Sequence, residues 1–165
     1  MLKGLPTMRI GFGLDRHSLI PGQRCVLGGV DFPDCPVGPQ GHSDGDPVCH
    51  AAADALLGAA ALGDIGEHFP DTDPQYADAD SLELLALTVG KLQAAGWKVG
   101  NVDLTVMTER PHLAEAKETM ATKLAGALDV EPGAVSIKAT RGEGLGPEGR
   151  GEAITVHAVA LIQPR

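Results

Sequence analysis

The stretch His42-Ser43-Asp44-Gly45-Asp46-Pro47-Val48-Cys49-His50, continued by Ala51 to Leu62, decides the fold class of this chain. Asp46 can cap a helix with its carboxylate, and Pro47 suits the first helical position, where no amide hydrogen is needed. Ala51 to Leu62 then propagates the helix. Upstream, Met8 to Leu14 reads as a strand and Cys25 to Val30 as a second, shorter one, ahead of a Pro/Gly-rich loop from Pro33 to Gly41. Downstream, a turn-rich loop runs from Gly63 to Asp78. Asp80 with Glu83 three residues on resembles a capping box for a helix ending near Gly96. Val102, Leu104 and Val106 alternate with polar residues, the pattern of a half-buried strand. A helix from about Leu113 to Leu128, a strand around Val135 to Ala139 and a last strand from Ala153 to Ile162 complete the order. Strands separated by helices predict an α/β (α+β two-layer) domain, with a mixed sheet of about four main strands packed on helices. Residues 8–165 are expected to form this single domain, and Met1 to Thr7 a loose N-terminal extension, with Met8 an alternative start.

Composition narrows the function classes. Aromatic residues are only 3% of the chain, so the core must be built from Ala, Leu, Val and Ile. The 22 acidic residues outnumber the 13 basic ones, for a formal net charge of -9. That balance argues against nucleic acid as a partner, because such proteins usually carry a basic face. Cys25, Cys35 and Cys49 form no C-x-x-C pair and are odd in number, and no signal-like segment precedes them. The longest apolar stretch, Ala51 to Leu62, is interrupted by Asp54 and too short to span a bilayer. A soluble, cytoplasmic setting without a membrane partner is expected.

Asp15 and His17 sit two apart near the end of a strand, so their side chains share a face. Taken alone, the pair reads as a hydrogen-bonded surface pair, since metal ligation is a minority use of histidine. His50, in the first turn of the first helix, reads alone as a partly buried, satisfied histidine. Together the three supply two imidazoles and a carboxylate, the ligand count of a catalytic zinc site with one position open. Asp54, four residues after His50, is expected to accept the second ring proton of that histidine. The helix start beside them would offer backbone amides to an anion. Gly63-Asp64-Ile65-Gly66 and Phe69-Pro70-Asp71-Thr72-Asp73 read either as solvated turns or as a polyol pocket, and spacing does not separate the two. The loop Thr140 to Gly151 holds five glycines in twelve positions, which on composition reads first as a floppy hairpin and also suits a phosphate-binding backbone. It lacks the Gly-Lys-Ser/Thr of a P-loop.

In these motifs the chain resembles the 2-C-methyl-D-erythritol 2,4-cyclodiphosphate synthases of the non-mevalonate isoprenoid pathway. The resemblance rests on Met8-Arg9-Ile10-Gly11-x-Gly13-x-Asp15-x-His17, on His42-Ser43-Asp44-Gly45-Asp46 with His50, and on Asp54-Ala55-Leu56-Leu57-Gly58. It continues through both turn motifs above, Gly100-Asn101-Val102-Asp103, Lys138-Ala139-Thr140, Leu145-Gly146 and Gly149-Arg150-Gly151-Glu152. It implies a homotrimer with active sites between subunits and a cytidine-diphosphate-linked substrate, 4-diphosphocytidyl-2-C-methyl-D-erythritol 2-phosphate. The 2-phosphate of that substrate attacks its β-phosphorus, CMP leaves, and a cyclic diphosphate forms.

The resemblance also implies residue roles. Zn2+ would be held by Asp15, His17 and His50, and Mg2+ or Mn2+ by Glu143. His42 and Ser43 would orient the attacking phosphate, with His42 and Arg141 as the catalytic side chains. Asp64, Ile65, Gly66, Phe69, Asp71, Thr72 and Asp73 would surround the methylerythritol. Thr108, Pro111, His112, Leu113 and Ala114, with Ala139, Thr140, Arg141 and Glu143, would hold cytidine and its phosphates, and Arg150 would also contact substrate. His112 stands where the family usually has lysine, Arg141 where it has a second threonine, Pro147 where it has an aromatic residue, and Phe12 where it often has histidine. Association with neighbouring pathway enzymes is a further implied partnership. Two other readings fit the residues: a zinc-dependent phosphohydrolase that admits water to the open position, and a non-catalytic trimer that binds isoprenoid diphosphates.

Overall fold

The computed structural model describes residues 8–41, 43–76 and 79–165. The expected extension, Met1 to Thr7, and His42 lie outside the described residues. The chain runs β1 (Arg9–Pro21), β2 (Val26–Leu27), β3 (Val30–Asp31), β4 (Val37–Pro39), α1 (Pro47–Ala60), α2 (Ile65–His68), α3 (Ser81–Ala94), β5 (Trp97–Met107), α4 (Lys117–Leu128), β6 (Val135–Thr140), α5 (Gly146–Gly149) and β7 (Ala153–Pro164). Five strands form one mixed sheet in the order β4-β1-β7-β5-β6, in which only β5 and β6 pair in parallel. Arg9 at the start of β1 lies opposite Ile162 near the end of β7.

The two-layer α/β architecture is as expected, with three corrections. The sheet has five strands because β4, inside the segment read as a loop, pairs with Leu19 to Pro21 at one edge. That pairing and a long β7 partner carry β1 on to Pro21, well past Leu14. The expected Cys25–Val30 strand is instead a separate two-stranded hairpin, β2 and β3, turned at Gly28 and Gly29, which both take positive φ. The Gly-rich loop before β7 closes into the short α5, with Pro147 in its first turn.

Helices α1, α3 and α4 cover one face of the sheet. Gly11, Gly13, Asp15, His17 and Leu19 point to that face, while Ile10, Phe12 and Leu14 point away and stay exposed. Alternation continues along β5, where Val99 and Val102 both face the helices although three residues apart. The register shift at Gly100, between Val99 and Asn101, absorbs the extra residue.

Helix α1 can lie close to β1 because both surfaces are small. Ala51, Ala55 and Ala59 meet Gly11 and Gly13, and a Cβ on Gly13 would fall 2.0 Å from the Ala51 carbonyl oxygen. At the front of the helix, Asp46 is fully buried and does more than cap. Its Oδ1 accepts from Val48 N at 2.9 Å and from Gly28 N at 2.9 Å, and its Oδ2 accepts from Gly29 N at 2.7 Å. One carboxylate thereby joins the hairpin to α1, and burial raises its carboxyl above the ordinary value. Asp46→Ala removes the cap on Val48 N and also strands the amides of Gly28 and Gly29. It is expected to cost about 3 kcal/mol or more, read as a shift in denaturant midpoint.

A candidate metal centre and two pockets

The α1–β1 contact that requires glycine also makes a site. Asp15 and His17 stand on the helix-facing side of β1, and His50 leaves the first turn of α1 directly above them. Asp15 Oδ2 lies 2.7 Å from His17 Nε2 and 3.2 Å from His50 Nδ1. One ligand atom from each residue lies within 4.8 Å of the other two.

The hydrogen bonds at the rear fix what these rings present at the front. His17 Nδ1 is 2.6 Å from the carbonyl oxygen of Gln40, which can only accept, so Nδ1 carries the proton. The ring has room there because Gly41 has no side chain; a Cβ would sit 2.7 Å from His17 Cε1. The Nε2 lone pair of His17 therefore faces a carboxylate oxygen, and two acceptors at that distance need a positive charge between them. A divalent cation supplies it, and so does a proton. With protons there, hydrogen bonds and charge from His17 and His50 outweigh the effect of burial and hold the Asp15 carboxyl well below the usual range. Burial lowers His17, and the contact with Asp15 outweighs it and raises the ring above its ordinary value. Two imidazoles and one carboxylate converging on one point suit Zn2+.

The expected Asp54–His50 contact is not made. Asp54 Oδ1 accepts from Ile65 N at 2.7 Å, because the first amides of α2 need an acceptor. His50 Nε2 faces two hydroxyls instead, Ser81 Oγ at 3.0 Å and Ser43 Oγ at 3.2 Å. Ser43 holds a left-handed φ of 61°, a conformation that non-glycine residues take at a cost and that clusters at functional sites.

The centre forms one wall of a cavity of about 360 Å³. Ile65, Gly66, Phe69 and Asp71, all expected around a polyol, line the same cavity. Pro70, from the same motif, lines it too, and Tyr76 and Leu84 join them, unforeseen from sequence; Tyr76 packs edge-on to Phe69 with ring centroids 5.3 Å apart. Asp64 and Asp73 spend their side chains locally, on Glu67 N at 3.0 Å and Gln75 N at 3.0 Å, and Thr72 lies in the turn just before Asp73.

A second cavity, of about 540 Å³, opens at the ends of β5 and β6. It gathers Thr108, Pro111, His112, Leu113 and Ala114 from one loop with Ala139, Thr140, Arg141 and Glu143 from the other. Lys117, at the start of α4, adds a cation that no motif singles out. Glu143 has a left-handed φ of 51°, and its amide donates to Glu109 Oε1 at 2.7 Å; its carboxylate makes no hydrogen bond or ion pair among the described residues. Arg150 lies apart from both cavities, paired through Nη2 with Glu152 Oε2 at 2.9 Å.

The sheet sets the relation of the two cavities. Asp15 pairs with Val156, Val156 with Val106 and Val106 with Ala139, so a single row of the ladder joins them. Three strand spacings separate Asp15 from Ala139, about 14 Å. The two cavities share no lining residue.

The family model described as the YgbB family matches residues 8–163. A 2-C-methyl-D-erythritol 2,4-cyclodiphosphate synthase of Syntrophomonas wolfei is 54% identical over 156 residues, 94% of this chain and 99% of that protein. Among solved structures, a 2C-methyl-D-erythritol-2,4-cyclodiphosphate synthase in its CDP-bound form is 34% identical with a TM-score of 0.85, over 93% of this chain and 99% of that one. The bifunctional IspDF of Campylobacter jejuni is 36% identical with a TM-score of 0.92; the match covers 98% of this chain and 43% of that protein.

Proposed function

Since the chain belongs to the YgbB family, we propose that its two kinds of pocket hold the two ends of one substrate. The chain catalyses cyclisation of 4-diphosphocytidyl-2-C-methyl-D-erythritol 2-phosphate to 2-C-methyl-D-erythritol 2,4-cyclodiphosphate with release of CMP. An oxygen of the 2-phosphate attacks the β-phosphorus, the bond from that phosphorus to the α-phosphate oxygen breaks, and CMP carries the electron pair away. The nucleophile belongs to the substrate, so no protein base is required. Positioning and charge neutralisation carry the rate, as in phosphoryl transfer generally.

Asp15, His17 and His50 hold Zn2+ in this reading, and Glu143 holds Mg2+ or Mn2+. Bound cations there withdraw charge from phosphates that would otherwise repel one another. Ser43 and His42 orient the 2-phosphate, and the cavity around Phe69 and Asp71 takes the methylerythritol. Thr108 to Ala114 and Ala139 to Arg141 take the cytidine end, with the Arg141 guanidinium on a phosphate oxygen, where a planar fork can bind bidentately. The CDP in the related structure supports a cytidine diphosphate there. The observation that carries the proposal is the convergence of Asp15, His17 and His50 on one point at the wall of the first cavity.

A second copy of the chain completes the site in a homotrimer. The face of β1 and β7 away from the helices supports this, because Ile10 is 73% exposed, Phe12 60% and Val159 45%, an apolar surface that suits burial against another copy. The bifunctional relative supports association with a neighbouring enzyme of the pathway. Among the described residues no helix is long and apolar enough to cross a membrane, and we place the enzyme in the cytoplasm.

Incubation with the cytidyl substrate and magnesium is expected to yield CMP and the cyclic diphosphate in equal amounts. Inorganic phosphate without cyclic product would mean a hydrolase, and binding without turnover a carrier. Glu143→Gln is expected to keep zinc and to raise the magnesium midpoint about tenfold, the equivalent of 1.4 kcal/mol of lost binding. Superimposable magnesium titrations of the variant and the parent would remove Glu143 from that role.

A further inference from the structure

Behind His50 lie two linked side chains, Ser81 and Asp44, to which the proposed reaction gives no role. Ser81, the first residue of α3, is 1% exposed. Its Oγ lies 2.5 Å from Asp44 Oδ1, 3.0 Å from His50 Nε2 and 3.3 Å from Ser43 Oγ. Asp44 is clamped in turn: its Oδ2 accepts from Ser81 N at 3.2 Å, and its own amide donates to the Ala79 carbonyl oxygen at 3.1 Å.

The directions of these bonds follow from which groups have protons to give. A carboxylate only accepts, so the single proton of the Ser81 hydroxyl goes to Asp44. The lone pairs left on Ser81 Oγ can then only accept, and two groups face them, His50 Nε2 at 3.0 Å and Ser43 Oγ at 3.3 Å. A proton on the nearer one, His50 Nε2, satisfies Ser81 and leaves the histidine lone pair on Nδ1, the atom 3.2 Å from Asp15 Oδ2. Asp44 thus decides, through a hydroxyl, which nitrogen of His50 faces the ion.

We propose that Asp44 and Ser81 are positioning residues for the metal, fixing His50 as the Nε2–H tautomer so that Nδ1 binds the ion. The inference rests on the reading of Asp15, His17 and His50 as zinc ligands. It adds a rear support to His50 equivalent to the one Gln40 gives His17. Outer partners of this kind usually govern metal affinity by about 10- to 100-fold.

The first test uses the zinc-loaded full chain with 15N-labelled histidine. Long-range proton–nitrogen correlation is expected to show His50 protonated on Nε2, with Nδ1 shifted by the ion. Protonation on Nδ1 overturns the inference while leaving the zinc assignment intact, whereas failure of the parent protein to bind zinc overturns both. The second test competes bound zinc against a chelator. Ser81→Ala is expected to bind about 10- to 100-fold more weakly, Ser81→Thr to recover most of the loss, and Ser81→Ala with Asp44→Asn to be no worse than Ser81→Ala alone. Unchanged affinity in Ser81→Ala, or additive losses in the double variant, overturns the inference. If Ser81→Ala does not fold, the correlation spectrum of the parent protein decides.

Discussion

In His50→Ala, and equally in Asp15→Ala, zinc content and turnover are expected to disappear together. Each substitution removes one of three donors that meet within 4.8 Å. Two remaining donors do not make a zinc site of the usual kind, in which the protein supplies three or four. A bound cation contributes several kcal/mol to stabilising transition-state charge. At 1.4 kcal/mol per factor of ten, a loss of about a thousandfold in turnover or more is expected. Metal analysis of the purified variants, alongside CMP release, checks both halves. Full turnover in a protein without zinc would detach the ion from the reaction. The fold should survive, because His50 and Asp15 are half-buried and contribute little to the core.

Gly13→Ala is expected to fail in the opposite order, fold first and chemistry as a consequence. A Cβ at Gly13 would stand 2.0 Å from the Ala51 carbonyl oxygen and 2.7 Å from the Ala55 amide nitrogen, both backbone atoms of α1. No rotamer change relieves a clash with backbone, so the helix must move off the strand. Displacement opens voids along Ala51, Ala55 and Val156, all fully buried. A loss above about 4 kcal/mol is expected, the range reserved for changes of this kind. For a chain of this size that is about 10 °C or more in Tm, measured by calorimetry. Zinc affinity should fall in the same variant, since Asp15 and His17 ride on β1 and His50 on α1. A stable Gly13→Ala protein with full zinc affinity would show that the contact does not set the site.

Much of this was legible in the sequence because local signals act locally. Asp46 and Pro47 announce α1 from within one turn, and alternation in Val102, Leu104 and Val106 announces β5 from its own residues. The cluster of Asp15, His17 and His50 was legible for a different reason: the residue types and their motif survive without knowledge of the fold. Partners set by tertiary contact were not legible. Asp54 sits at the right spacing for His50, yet the amide of Ile65 claims it, and spacing along one helix says nothing of a neighbouring element's unsatisfied amides. Ser81 lies 31 residues from His50, and no pattern in the chain links them. Strand β4 was missed because three residues, preceded by Pro36 and ending in Pro39, carry no period; its place is decided by the edge of β1.

The start of β1 lies beside the end of β7, so polypeptide enters and leaves the domain at one corner. Arg9 and Asp15 are six residues apart on an extended strand, about 20 Å. A partner joined at this corner, before Arg9 or after Pro164, would leave Asp15 and His17 on β1 and His50 on α1 untouched, and joining the two strand ends through a linker would give a circular permutant whose new termini could be placed in an exposed turn. In the bifunctional relative the match covers 43% of that protein, and here one antiparallel pairing, β1 with β7, offers a corner for such joining.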